Sequence, residues 1–266
     1  MNRFPRRLAP QVKDGKIILE LAKIDLRSRY LGSQLGILWA FIQPAIYILI
    51  LWFVFQMGFK SNPIRNFPFV LWLMSGLAPW FFFSESLTNG TIAVSGNAHL
   101  VKMMVFRVGM LPVIKVASAL FVHLFFIALL FAAFGLYGYP PDRYSLQVFY
   151  YLFAAIALAL GLSLITSALI VFVRDTGQAV AVLLQFGFWL TPIFWAPALF
   201  PARYQPLIKL NPVYYLTEGY RDSLINKVWF WERPRVTIYF WLVTLLVCGF
   251  GAAFFRRMKP HFADVL

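Results

Sequence analysis

The sequence predicts an all-α integral membrane protein with six transmembrane helices, and two observations carry that prediction. Of 266 residues, 61% are hydrophobic and only 13% charged, too few charges to clothe a soluble domain of this size. The apolar residues also come in long uninterrupted blocks, with the charges collected between them. A hydrocarbon core about 30 Å thick takes roughly 20 helical residues at 1.5 Å rise each, and several blocks meet that length. Backbone groups in hydrocarbon must bond within a helix or a closed barrel. Runs such as Ile46–Phe55 and Val236–Phe255 lack the alternation of barrel strands, which leaves helices.

In chain order, residues 1–34 form a cytoplasmic amino-terminal segment. Within it, Ile17, Ile18, Leu21 and Ile24 share one helical face among bases and acids, the pattern of an amphipathic helix lying on the membrane interface. Spans are expected at Leu35–Phe59, Phe67–Gly90, Leu111–Tyr137, Leu146–Val173, Ala179–Pro197 and Val236–Phe255. Residues 35–256 then make one transmembrane domain, and 257–266 a cytoplasmic tail. An even number of spans puts both termini on one side. Arg3, Arg6 and Arg7 before the first span and Arg256, Arg257 and Lys259 after the last make that side the cytoplasm.

Lys102, Arg107 and Arg174 fall in inner connections, and Lys60, Arg65 and Arg143 in short outer loops. The stretch from Arg203 to Arg235 is basic yet placed outside; long translocated segments are less bound by the charge rule. It is too apolar for a solvated loop, while Pro197, Pro201, Pro206 and Pro212 interrupt it too often for a full span. Short helices re-entering the outer leaflet within 197–235 satisfy both facts. Irregular backbone at that depth needs protein cover or a wet cavity, a first hint of a pathway.

The net charge of +14 flanks the spans, which suits membrane orientation and anionic lipid rather than nucleic acid. A single cysteine, Cys248, excludes a disulfide framework. The first thirty residues are too charged for a cleavable signal peptide. No GxxxxGK[ST], HExxH or GxSxG motif and no cysteine–histidine cluster occurs, and His99, His123 and His261 lie far apart. Neither a catalytic residue nor a metal or nucleotide site is therefore expected on this chain. Glu85 is the acid and His123 the histidine expected inside spans, where function is the first suspicion and a structural bond the plain alternative.

Trp39, Gln43 and Tyr47 stand four residues apart on one face of the first span, and Gln178, Gln185 and Trp189 follow the same logic on the fifth. Amides bond hydroxyls and aromatic faces stack on sugar rings, so both stripes suit carbohydrate. They could equally be interfacial aromatics and packing amides. The blocks Phe81–Phe83, beside Trp80, and Phe125–Phe126 could face either the protein or lipid. Arg27 and Arg29 could grip a pyrophosphate by bidentate bonds or anchor the amino-terminal helix to anionic lipid; their spacing favours the anchor.

Five stretches in order resemble the ATP-binding-cassette type-2 permeases that export polysaccharides. They are DLRSRYLGSQLGILWAFIQP (Asp25–Pro44), SGLAPWFFFSESL (Ser75–Leu87), HLVKMMVFRVGMLP (His99–Pro112), VRDTGQAVAVLLQFGFWLTPIFW (Val173–Trp195) and NPVYYLTEGYRDSL (Asn211–Leu224). The likeness is greatest to O-antigen and teichoic-acid permeases and more distant to capsule exporters. It implies a six-helix half-transporter of the bacterial cytoplasmic membrane that pairs as a homodimer and binds two copies of a separate ATPase subunit, which would hold ATP and Mg. His99, Lys102 and Arg107 would then lie in the coupling segment that docks on the ATPase, with Arg174 and Asp175 as a second contact. The first and fifth spans would line a channel for a lipid-linked glycan. Short helices in 197–224, with Trp195, Tyr204, Tyr214 and Tyr215, would form an outer gate. Arg27 and Arg29 would sit near a lateral entrance for the lipid-pyrophosphate. A small-lipid or drug permease of the same fold and a proton-coupled lipid-oligosaccharide flippase are the competing expectations.

Overall fold

The computed structural model describes residues 8–58, 67–102, 107–199 and 201–266, with side chains from residue 15 onward except that of Leu199. The expected outer-loop charges Lys60 and Arg65, the amino-terminal bases Arg3, Arg6 and Arg7, and positions 103–106 of the inner connection lie outside the described residues.

Helix α1 (Leu8–Ser28) leads into α2 (Trp39–Phe53), which opens with a 3-10 turn at Gly36–Leu38 and continues through a π-helical turn at Val54–Gly58. Then come α3 (Phe69–Thr91), the short α4 (Ala98–Lys102), α5 (Met110–Leu136), α6 (Gln147–Phe172) and α7 (Thr176–Leu190). The outer segment holds α8 (Gln205–Lys209) and α9 (Pro212–Arg221), the latter prolonged by a π turn at Asp222–Asn226. α10 (Pro234–Met258) and α11 (Phe262–Val265) close the chain. The architecture is all-α and polytopic, as composition and block pattern require.

Among the described residues, five helical stretches are long and apolar enough to cross a bilayer: Gly36–Gly58, Phe69–Thr91, Met110–Leu136, Arg143–Phe172 and Pro234–Val265. The expected fifth span, Ala179–Pro197, differs. Its helix, α7, is 15 residues long and ends at Leu190, with Thr191 in extended backbone. Fifteen residues rise about 22 Å, short of the hydrocarbon thickness. Irregular chain from 191 to 196 and a 3-10 turn at Pro197–Leu199 continue the path, held by neighbouring protein as described below.

α3 is the central helix. It buries Leu71, Leu73, Leu77, Phe82 and Phe83 against α5, α6, α7 and α9. The block Trp80–Phe83 is therefore directed into protein, not lipid: Trp80 is 6% exposed and Phe82 2%. In the other block, Phe126 is buried while Phe125 is 46% exposed. α10 packs along α6, and glycine makes that approach possible. A Cβ at Gly251 would stand 2.6 Å from the Gly161 carbonyl oxygen, so only glycine fits there. Cys248 lies in the same seam and donates to the Ala157 carbonyl at 3.2 Å.

α1 packs on α5. Its docking side is Ala22 and Leu26, both buried, while Ile17 and Ile24 of the expected apolar face remain 48% and 60% exposed. The helix thus carries two apolar stripes, one taken up by α5 and one left for an interface, because Asp25 is fixed to Lys115 of α5.

Local sequence sets the helix starts of the outer segment. Asp142 accepts from the backbone N–H groups of Tyr144 and Ser145, capping the turn before α6. Asn211 accepts from the Val213 N–H, with Pro212 in the first helical turn of α9. Gln147 bonds the Val228 carbonyl and the Phe230 N–H, pinning the return to α10.

Candidate functional site

α2 and α7 present their polar-aromatic stripes to a groove floored by α3. Helical spacing puts Gln43 and Tyr47 of α2 one turn apart, and Gln185 and Trp189 of α7 likewise. All four side chains line a hollow of about 620 Å³ together with Trp80, Phe81, Ser84 and Thr88 of α3. Trp189 is 60% exposed and Tyr47 39%. The Tyr47 ring stands edge-on to Phe81 at 5.8 Å and Phe188 at 6.0 Å, which braces the stripe from behind.

A second hollow of about 340 Å³ extends the first towards the end of α1. The two share Gln43, Pro44, Phe81, Ser84 and Thr88, so they form one continuous groove. Trp39, Tyr30, Arg29, Glu85 and Asn89 line this part. Gln178 is exposed on α7 two turns before Gln185 but lines neither hollow.

An ion cluster closes the α1 end. Arg29 donates through Nε and Nη2 to Asp25 at 3.1 and 2.6 Å, through Nη1 to Glu85 at 2.9 Å, and through Nη2 to the Ser118 hydroxyl at 2.9 Å. Lys115 Nζ stands 2.5 Å from the other oxygen of Asp25. Burial pushes the Asp25 carboxyl up, but Lys115 and Arg29 outweigh it and hold the group below the usual carboxylate range. Glu85, whose role the sequence leaves open, is thereby the α3 partner of Arg29. Arg27 is exposed and lines neither hollow. Of the two arginines, Arg29, just past the end of α1, is bonded to two carboxylates.

At the other end, Trp195 donates from Nε1 to the Trp189 carbonyl at 3.1 Å. Tyr204 is 42% exposed with the Arg203 guanidinium 4.5 Å over its ring. Tyr214 and Tyr215 are instead buried at 6% exposure each. Tyr215 shares a hydrogen bond with the Tyr150 hydroxyl at 3.0 Å, donates to Thr237 at 3.2 Å and stacks on Phe240. Tyr215 thus holds α9 against α6 and α10, and both tyrosines line a small hollow with Tyr151, Glu218 and Arg233. Beside them, Arg221 is 1% exposed and donates to the carbonyls of Pro192 and Ile193 at 2.5 Å each and to Glu218 at 2.7 Å. Its guanidinium lies 3.5 Å over the Trp72 ring. These bonds satisfy the carbonyls that the early end of α7 would otherwise leave unpaired. His123 is also away from the groove, buried and bonded to the Tyr220 hydroxyl at 2.8 Å.

The five residues assigned to inner contacts, His99, Lys102, Arg107, Arg174 and Asp175, are all exposed. One apolar cluster gathers their neighbourhood, joining Val94, Val101 and Val108 to Val171 of α6, Phe255 of α10 and Phe262 of α11. Both inner connections are thus brought to the same end of the molecule as the carboxyl-terminal helices.

The sequence matches the ABC-2 type transporter family over residues 18–225, which include the whole groove and the α9 segment. The chain belongs to that family. Among ABC-2 proteins it is similar to the O-antigen export system permease protein RfbA of Klebsiella pneumoniae, 27% identical over 94% of this chain and 95% of the relative. The protein of the same name from Myxococcus xanthus is 28% identical over 93% and 94%. The polysialic acid transport protein KpsM of Escherichia coli is 23% identical over 88% and 90%. Its apolar helices and its family make this chain a multi-pass membrane protein of the ABC-2 transporter type.

Sequence reasoning missed the contribution of α3 to the groove. Trp80, Ser84 and Thr88 repeat every four residues as Trp39, Gln43 and Tyr47 do, so the signal was present beneath the phenylalanine block. Lys115 and Ser118, which complete the ion cluster, carry no comparable pattern.

Proposed function

We propose that this chain is the permease subunit of an ATP-driven exporter of lipid-linked polysaccharide in the bacterial cytoplasmic membrane, with both termini in the cytoplasm. The observation that carries this reading is the groove itself, lined along its length by amides, hydroxyls and aromatic rings. Such a lining offers hydroxyl groups both donors and acceptors, while the rings cover the apolar faces of sugars. Successive rungs on α2 and α7 are one helical turn apart, about 6 Å of rise. Repeated, equivalent, weak sites let a polymer advance without settling into one deep well, the condition for conduction through any multi-site path. The relatives named for O-antigen export and polysialic acid transport support the same cargo class.

The groove is open along α2 and α7, and a second copy of the chain would close it into a channel on a two-fold axis. Two copies of a separate ATPase subunit, carrying ATP and Mg, would dock on the exposed end that holds His99, Lys102, Arg107, Arg174 and Asp175. The shared apolar cluster there links those contacts to α6 and α10, so closure of the ATPase pair would reach the spans as a rigid-body movement. Trp195 and Tyr204 would border the outer exit, with Arg221 fixing the segment that carries them.

The test is export by a strain carrying Trp39→Ala and Trp189→Ala together. Surface glycan should fall at least about tenfold while membrane insertion stays normal. Unimpaired export would return both side chains to packing and overturn the groove as the path. Loss of a small lipid or drug from the outside, with glycan unchanged, would favour the small-cargo permease.

A further inference from the structure

The charges of the groove cancel. Among the described residues lining its two hollows, the ionised side chains are Arg29 and Glu85, and they are bonded to each other at 2.9 Å. The remainder of the cluster repeats the balance: Arg29 also holds Asp25, and Asp25 also holds Lys115. Two acids meet two bases, with side-chain exposures between 13% and 30%, so no member has a spare full charge to offer a ligand. Every other lining residue is apolar or a neutral donor and acceptor, such as Gln43, Ser84, Thr88, Asn89 and Gln185.

We propose that the polymer this groove accepts is a glycan with uncharged repeats, a neutral hexose or deoxyhexose chain, rather than a polyanion bearing a carboxylate or phosphate in each repeat. This rests on the export reading above and names its substrate class.

The reasoning is electrostatic. An anion leaving water for a narrow protein path loses hydration that must be replaced, and paths built for anions replace it with Arg or Lys along the lining. Among the described lining residues the guanidinium is that of Arg29, and its charge is already met by two carboxylates. A polyanion would meet no uncompensated cation among the described lining residues at any step, whereas a neutral sugar trades water hydrogen bonds for those of amides and hydroxyls. The carrier's own headgroup meets this barrier once per molecule, but an acidic repeat meets it at every advance. A second copy of the chain doubles the lining and leaves the balance at zero. Aromatic rings do not change the sign, since their faces present negative potential and favour cations.

The complex of this chain with its ATPase, reconstituted in liposomes, tests the proposal with two polyprenyl-pyrophosphate-linked glycans of equal length. One has neutral hexose repeats, and the other a uronic acid in each repeat. The neutral chain should be exported at least about tenfold faster. Gln185→Lys, an exposed position on α7 where a longer cation fits without repacking, should narrow that ratio by raising export of the acidic chain. Glu85→Gln should narrow it too, since Arg29 then keeps only Asp25. Equal rates, or faster export of the acidic chain, would overturn the proposal while leaving the export function standing. A ratio unmoved by both variants would overturn its electrostatic basis. If neither glycan is exported while the complex still hydrolyses ATP, the export reading falls and this inference with it.

Discussion

Replacing Arg221 by Met removes the charge that ties the broken end of α7 to α9 while keeping most of the side-chain length. Arg221 makes two bonds to main-chain carbonyls and one to Glu218 and covers Trp72, all at 1% exposure. Hydrogen bonds to a charged group contribute about 1.5–3 kcal/mol each, and a desolvated cation over Trp adds about 2 kcal/mol. Against this stands the cost of burying the guanidinium, which the variant no longer bears. Glu218, with its side chain 13% exposed, is left without its partner, and two carbonyls at membrane depth lose their donors. The balance for breaking one side of such a pair is a loss of about 4 kcal/mol. For a chain of this length, that lowers the melting temperature by roughly 10 °C. Thermal unfolding of the purified protein in detergent, followed by size-exclusion recovery, reads the shift directly. Glu218→Gln keeps a hydrogen-bond acceptor and should lose less than half as much. A shift below about 2 °C for Arg221→Met would refute the view that this residue holds the outer segment.

Four further outcomes follow from the same coordinates. Gly251→Ala forces a Cβ to 2.6 Å from the Gly161 carbonyl and should weaken the α6–α10 seam by about 1–3 kcal/mol, seen as a lower melting temperature. Asp25→Asn removes the counter-charge that Lys115 and Arg29 share, leaving Arg29 with Glu85, and should release α1 from α5, read as faster amide exchange over residues 15–28. The folded Asp25 carboxyl titrates below its unfolded value, so its contribution is present above about pH 4 and lost as pH falls through the depressed value; protection of α1 that instead fell on raising pH from 5 to 7 would contradict the assignment. Arg107→Glu should reduce co-purification of the ATPase subunit while the permease remains folded, and normal association would remove Arg107 from the docking surface.

Much of this molecule is legible in its sequence because the bilayer imposes so strong a rule. Long apolar blocks with basic flanks leave helices as the consistent answer, and the stripes Gln43–Tyr47 and Gln185–Trp189 do reach one groove. What the sequence could not show depends on partners distant along the chain. Arg29 and Glu85 are 56 positions apart, and Arg221 meets Pro192 and Ile193 from 29 and 28 positions away. No periodicity links such pairs. Gly76 became readable only with them, since a Cβ there would stand 2.5 Å from the Arg221 guanidinium. Tyr214 and Tyr215 enter as outer-gate residues only through the family resemblance, and α9 buries both. The shortened α7 was hidden because its apolar block runs on past Leu190, and hydropathy does not report where backbone bonding stops.

The central claim is that this chain moves a finished glycan outward, and the most direct measurement is where lipid-linked glycan resides in cells lacking it. Inside-out and right-side-out membrane vesicles from such cells, probed with a membrane-impermeant lectin or glycosidase, locate the polymer. The account predicts long chains trapped on the cytoplasmic face with surface glycan lost, and both defects reversed by the wild-type gene but not by the Trp39→Ala, Trp189→Ala form. Unchanged surface glycan with no internal accumulation would contradict it.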